Sequence, residues 1–253
     1  MHHHPIALIT GGSRGLGRDT ALTLAKRGVD IIITYHSNQQ AADAVVAEAT
    51  ALGATAQALQ LDTGNIHAFG AFKSQLSALL AGTWQGRPLN YLVNNAGTSL
   101  HVPMMSASES QFDEVMNVHV KGVFFLTQAL VPLMADGGAI VHISSGLTRF
   151  TLPGSGLYGA MKGAVEVLSR YWAAELAARQ IRVNTLAPGA IATDFSGGMV
   201  RDNPDVHEKV KGFTALGRVG QPEDIGKAVA MLLSNDSGWI TGQRIEASGG
   251  MVL

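Results

Sequence analysis

Thr10-Gly11-Gly12-Ser13-Arg14-Gly15-Leu16-Gly17 joins a short apolar run, Pro5 to Ile9, to a segment from Leu16 to Arg27 whose apolar residues recur at helical spacing. Strand, glycine-rich turn and helix in this order suit a pyrophosphate. Glycines permit the tight turn and let backbone N–H groups approach closely. The start of the helix adds its positive dipole end. The spacing is T-G-x-x-x-G-x-G rather than the commoner G-x-G-x-x-G. A glycine trio alone says little, and its place between strand and helix gives it weight.

Outward from this turn, apolar runs and helical patterns alternate to the end of the chain. Ile31-Ile32-Ile33 is β-branched and wholly apolar, as a strand buried on both faces should be. Ala41 to Leu52 reads as an alanine-rich helix closed by Gly53. Strands are predicted at Ala54 to Leu61, Leu89 to Val93, Ala139 to Ile143, Ile181 to Leu186 and Gln243 to Glu246. Helices are predicted at His67 to Ala81, Glu109 to Met134 with a kink at Pro132, Tyr158 to Arg179 and Glu223 to Leu233. This alternation implies an α/β fold: a doubly wound parallel sheet of about seven strands in three α/β/α layers. Residues 1–253 show no internal repeat and no linker, so one domain is expected. The least regular stretch, Asp194 to Phe213, is the candidate for a lid over the substrate.

Composition narrows the function. The 253 residues carry 18 basic and 19 acidic side chains, and a net charge of −1 offers no basic face for nucleic acid. Cysteine is absent, which excludes disulfides, thiolate zinc sites, iron–sulfur clusters and a cysteine nucleophile. A cytoplasmic location fits that composition. Gly122 to Ala135, the most apolar charge-free stretch, falls short of the ~20 residues of a bilayer helix, and the N-terminus lacks a signal-peptide pattern. His2, His3 and His4 read as a tag remnant or a frayed start. No H-E-x-x-H or G-x-S-x-G occurs, and His101, His119 and His142 fall in different elements. No metal is therefore expected, and His142 reads as a satisfied core histidine.

Two clusters bear on chemistry. Dinucleotide sites usually place an acid at the end of the second strand to grip a ribose hydroxyl. Here that end reads Thr34-Tyr35-His36-Ser37-Asn38, without a carboxylate, while Arg14 puts a cation in the phosphate turn. An adenosine 2′-phosphate would be attracted there, which favours NADP(H) over NAD(H). Further on, Tyr158 and Lys162 are four residues apart and share a helix face. An ammonium beside a phenol should lower the tyrosine pKa toward the working range of a general acid/base. Ser145 follows the strand ending at Ile143, where its hydroxyl could bond a substrate oxygen. Leu147, Leu152, Leu157, Phe195 and Met199 would line a mainly apolar pocket for a small ketone or alcohol, with Arg149 available nearby.

Together these residues give the chain a close resemblance to the short-chain dehydrogenase/reductase family, from Ile6 onward. Thr10 to Gly17 is similar to its cofactor turn and Asn94-Asn95-Ala96-Gly97 to its N-N-A-G motif. Asn117, Ser145, Tyr158 and Lys162 match its catalytic tetrad, and Pro188-Gly189 with Thr193 its P-G-x-x-x-T segment. The resemblance implies a Rossmann domain and hydride exchange between a nicotinamide and a carbonyl carbon. Tyr158 would give the proton, Ser145 polarise the oxygen, Lys162 bind the nicotinamide ribose, and Asn117 hold a water leading to Lys162. The implied cofactor residues are Gly11, Ser13, Arg14, Gly15, Leu16, Gly17, His36, Ser37, Asp62, Thr63, Asn94, Ala96, Gly97, Tyr158, Lys162, Pro188, Gly189, Ile191 and Thr193. A homo-oligomer, dimer or tetramer, is implied, pairing the helices around 109–134 and 158–179, with Tyr171 and Trp172 serving that contact or the core. Ala247 to Gly250, His119 and Lys121 depart from the usual pattern.

The family includes β-ketoacyl carrier-protein reductases and sugar and steroid dehydrogenases. A carrier protein would need basic residues at the entrance. Arg149, Arg201, Lys209 and Lys211 are candidates, offset by Asp202, Asp205 and Glu208. A non-catalytic NADP(H)-binding sensor or scaffold is the rival reading; such a protein would tend to lose the Tyr–Lys pair retained here.

Overall fold

A computed structural model describes residues 4–253. His2 and His3 lie outside the described residues. His4 is anchored rather than frayed: its carbonyl accepts a hydrogen bond from Arg87 at 2.8 Å, and its Nδ1 lies 3.4 Å from Asp30.

The chain alternates strands and helices. In order they are β1 (Ile6–Ile9), α1 (Gly15–Ala25), β2 (Asp30–Tyr35), α2 (Gln39–Ala51), β3 (Ala56–Gln60), α3 (Phe69–Trp84), β4 (Leu89–Asn94), α4 (Glu109–Met116), α5 (Gly122–Leu130), β5 (Met134–Ile143), α6 (Gly156–Glu175), β6 (Arg182–Pro188), α7 (Met199–Asp202), α8 (Pro204–Phe213), α9 (Pro222–Leu233) and β7 (Arg244–Ala247). The strands form a seven-stranded sheet in the order β3-β2-β1-β4-β5-β6-β7, and every neighbouring pair is parallel. Strand order reverses between β1 and β4, so a crevice opens beyond their carboxyl ends.

The apolar runs of β1 and β2 serve two cores at once. Ala7, Ile9, Ile31 and Ile33 face one layer with α1, α2 and α9. Ile6, Leu8 and Ile32 face the other with α3, α5 and α6. Alternate side chains leave opposite faces of a strand, so a sheet covered on both sides needs apolar residues at every position. Each fully buried Leu or Ile contributes roughly 1.5–3 kcal/mol.

Three elements differ from the sequence expectation. The helix expected over Glu109 to Met134 is broken at Asn117–Lys121, a π-helical turn, rather than at Pro132. Pro132 instead sits in a short 3₁₀ turn, Val131–Leu133, where its missing N–H breaks no helical ladder. The strand β5 starts at Met134, five residues early, because Gly137 with φ +75° accommodates an irregularity in its pairing with β4. Asp194 to Phe213 is largely helical, α8 being started by the Asn203 side chain, which accepts from the backbone N–H of Asp205 and Val206, and by Pro204 in its first turn. Trp172 packs against Phe124 at 5.5 Å, while Tyr171 is exposed. Among the described residues no helix is long and apolar enough to cross a membrane, and no three metal-ligating side chains are grouped.

Candidate active site

The glycine turn is tied to the loop after β4. Thr10 Oγ1 accepts the backbone N–H of Asn95 and of Ala96, each at 2.9 Å. Asn95 Nδ2 donates to the carbonyls of Thr10, at 2.8 Å, and Gly11, at 3.2 Å. On the other side Gly12 N donates to Thr34 O at 2.8 Å, so the end of β2 is fixed to the same turn. The glycines are required by space. A Cβ on Gly17 would collide with Gly11 O and lie 2.5 Å from Asn95 Nδ2, and Gly11 and Gly15 have φ of +64° and +55°. The turn is thus a backbone cradle at the start of α1, with the geometry a dinucleotide pyrophosphate needs.

At the carboxyl ends of β2 and β3, His36 and Asp62 approach to 3.9 Å, and both are exposed. Arg14 is exposed and makes no ion pair among the described residues. Asp62 Oδ1 accepts from Gly64 N at 2.8 Å, shaping the Thr63 turn. Thr193 stands beside Gly15, and its Oγ1 accepts from Phe195 N at 3.2 Å. A cavity of about 170 Å³ opens here, lined by Gly15, Arg18, Thr193 and Arg201 among others. Ile191 bridges to Gly220, and Gly189 abuts Ser248. Asn94 departs from expectation: its amide is engaged in the core, with Nδ2 3.0 Å from Thr127 Oγ1 and 2.9 Å from His142 Nδ1. Asn95, part of the N-N-A-G motif but not among the expected cofactor residues, is the residue that locks the turn.

Beyond β5, Ser145 begins a short turn, and α6 brings Tyr158 and Lys162 against it. Lys162 Nζ donates to Ile143 O at 2.8 Å and lies 5.6 Å from the centre of the Tyr158 ring. The ring of Tyr158 is flanked by His119, edge to face at 5.2 Å, and by Phe195 at 6.2 Å. Ser145, Tyr158, Lys162 and Phe195 therefore lie together beyond the end of β5. Asn117 lies in the π-helical turn and makes no side-chain hydrogen bond among the described residues; its carbonyl accepts from Gly122 N. His119, two positions on, faces the phenol instead. Its appearance where small or polar residues are usual was the signal available in the sequence.

A sequence profile described as enoyl-(acyl carrier protein) reductase matches residues 11–252. The chain belongs to the short-chain dehydrogenase/reductase family. An uncharacterized oxidoreductase of Methylorubrum extorquens is 37% identical over 97% of each chain. Among solved structures, the promiscuous reductase LugOII, which catalyses keto-reduction at C1 during lugdunomycin biosynthesis, superposes with a TM-score of 0.93 at 37% identity, covering 98% of both chains. The angucycline C-6 ketoreductase LanV with bound NADP gives 0.93 at 33% identity over 99% of both.

The electrostatics of this short-chain reductase correct one expectation. Burial pushes the Tyr158 phenol above the ordinary tyrosine range, and the Ser145 hydroxyl pulls it only part of the way back. Lys162, 5.6 Å from the ring centre, does not offset this burial, and burial also lowers its own pKa to about 8. At neutral pH the phenol holds its proton. Burial first, and then the Lys162 charge, lower both His119 and His142 to about 3, so both imidazoles are neutral. His142 is only half satisfied: Nδ1 meets Asn94, and Nε2 has no partner among the described residues.

The substrate side is partly as expected. Leu147 is half-buried with its backbone against Gly159, and Leu157 is half-buried, while Leu152 and Met199 are exposed. His101 and Met104, from the loop after β4, overlie Gly154 and Gly156 at the start of α6. Arg149 is not available to a substrate. Its guanidinium pairs with Glu246 and donates to the carbonyls of Met251 and Val252. Glu246 in turn binds Arg244, which binds Glu166, and Glu166 accepts from Ser144 and Thr148.

Proposed function

We propose that this chain reduces a small, largely apolar ketone to an alcohol, with NADPH preferred over NADH and Tyr158 as general acid. The convergence of Ser145, Tyr158 and Lys162 beside the crevice at the strand-order reversal carries this reading. NADPH bound in that crevice would supply the hydride. The glycine cradle, with Ser13, Arg14 and Leu16, would hold its pyrophosphate. Arg14, His36 and Ser37 would meet the 2′-phosphate, and Asp62 and Thr63 the adenine. Ala96, Gly97 and the Pro188 to Thr193 segment would border the nicotinamide end, and a free proton of Lys162 would bind its ribose.

The protein groups then divide the work on the carbonyl. Ser145 donates a hydrogen bond to the ketone oxygen and holds it beside the phenol. The Tyr158 phenol, kept protonated by burial, gives that oxygen its proton. The Lys162 ammonium balances the phenolate left behind. Phe195, Met199, Leu147, Leu152 and Leu157 would receive the body of the ketone. The likeness to angucycline ketoreductases, and the apolar rings and thioethers at this mouth, favour an aromatic ketone. The entrance is poorly suited to an acidic carrier protein. Arg149 is committed to the C-terminal segment, Arg201 is paired with Asp194 and Asp202, and Lys211 is paired with Glu208, which leaves Lys209 alone of the four without an ion pair among the described residues.

The test is turnover of a panel of aliphatic, monocyclic and fused-ring aromatic ketones with each cofactor, for wild type and Tyr158→Phe. Loss of the single hydroxyl should lower kcat by about 10²–10⁴-fold while NADPH still binds. Full turnover in that variant would refute the assignment. NADPH binding with no turnover of any ketone would favour the sensor or scaffold.

A further inference from the structure

His119 is the one charged-type side chain at the phenol that the mechanism above leaves unused. It is buried and sits in the π-helical turn between α4 and α5, a distortion that re-aims side chains relative to a regular helix. Its Nε2 lies 2.8 Å from Thr98 O. A carbonyl only accepts, so Nε2 carries the hydrogen and Nδ1 carries a lone pair. That Nδ1 is buried with no partner among the described residues. The ring packs against Gly97, whose Cβ, if present, would come 2.7 Å from His119 Cε1. One imidazole therefore touches the loop after β4 on one side and the Tyr158 ring on the other.

We propose that His119 is a positioning residue for the proton donor, clamping the Tyr158 ring to the Gly97–Thr98 loop through its Thr98 hydrogen bond and its edge-to-face contact with the phenol. The proposal rests on the reading of Tyr158 as the acid. A phenol that must aim its O–H at a ketone oxygen needs its ring plane held, and a 20-residue helix alone leaves that ring free to turn about its side-chain bonds. Thr98 O fixes the imidazole, and the imidazole fixes the ring. Lys162 has three N–H donors, and Ile143 O takes one. Because its pKa lies near 3, the imidazole stays neutral and adds no competing positive charge. Asn117 does not fill this place: side chains two positions apart on a helix leave it in nearly opposite directions.

Kinetics of His119→Ala, His119→Asn and His119→Phe test it, with a ketone turned over in the panel and with NADPH affinity read separately by fluorescence titration. His119→Ala should lose about tenfold or more in kcat, with KM and the NADPH Kd changed by less than about threefold. His119→Asn, which keeps a donor and an acceptor, should recover most of that loss. His119→Phe, which keeps an aromatic ring but no polar edge, should stay below it. Where His119→Ala does not fold, the Asn and Phe variants carry the comparison. Full kcat in His119→Ala, or equal recovery by Phe and Asn, overturns the proposal. So does loss of kcat in Asn117→Ala with none in His119→Ala. Tyr158→Phe is measured alongside: if it is inactive while His119→Ala is fully active, the clamp is wrong and the acid assignment stands; if it is active, both fall.

Discussion

Lys162 and Ile143 are joined by a 2.8 Å hydrogen bond from a buried ammonium to the last carbonyl of the strand that leads to Ser145. One neutral acceptor does not repay the loss of hydration of that charge, which is why Lys162 is lowered to about 8. The sign of the linkage follows. In the unfolded chain the amine titrates near 10.4, so between pH 8 and that value the unfolded state binds the extra proton. The charge-burial penalty is present below about pH 8 and is relieved as pH rises through that window. Lys162→Met should therefore raise unfolding stability at pH 7 by on the order of 3 kcal/mol, with the gain shrinking toward pH 10, and should abolish most turnover. Urea unfolding at both pH values measures it. A loss of stability at pH 7 would contradict the account.

With Tyr158 as the proposed general acid, its raised phenol would set the pH behaviour of catalysis. Ketone reduction needs the protonated phenol, which burial secures at neutral pH, whereas alcohol oxidation needs the phenolate. Reduction should be flat through neutrality, and oxidation should rise with alkalinity toward about pH 8, above which loss of the Lys162 charge works against the phenolate. Initial rates in both directions over pH 6 to about 10 decide this. An oxidation rate that is maximal at neutral pH would show an acidic phenol after all.

The proposed preference for NADPH rests on Arg14. Replacing it by alanine should lower kcat/KM for NADPH by roughly 10–100-fold and leave the value for NADH nearly unchanged, since one charge-assisted phosphate contact is lost. A wild type that prefers NADH would remove the basis of the argument.

Gly17→Ala tests the cradle by space alone. The added methyl must displace the Gly11 carbonyl or the Asn95 amide, so the cofactor turn opens. A cost of about 1–3 kcal/mol in stability and a greatly weakened NADPH Kd are expected, both readable in one thermal-shift titration.

At the opposite end of β2, Asp30 accepts from Trp84 Nε1 at 2.8 Å and from Thr55 N at 2.9 Å. Asp30→Ala leaves both donors without this acceptor, and Trp84 is buried. Chemical denaturation should show a loss of about 2–4 kcal/mol with the catalytic constants of the folded enzyme intact.

What was legible in the sequence was what period and local chemistry control. The doubly wound sheet followed from Ile31-Ile32-Ile33 and its neighbours, and Ser145, Tyr158 and Lys162 followed from a strand end and a helix face. What was not legible depended on the third dimension. Whether Arg149 was free could be seen only once Glu246 and Val252 were beside it. The depth of burial that raises Tyr158 belongs to Phe195 and His119, which are distant in sequence. Asn117 and His119 are two residues apart, and only the π-helical turn decides which of them faces the phenol.

The clasp between Arg149 and the carbonyls of Met251 and Val252 also bears on attempts to redirect this enzyme. Randomising Arg149 would unfasten the C-terminal segment, so any change in substrate scope there would be mixed with a change at the C-terminus. Under the proposed placement of the ketone, Leu152, Phe195 and Met199, with about half of each side chain open to solvent, are the positions to diversify first.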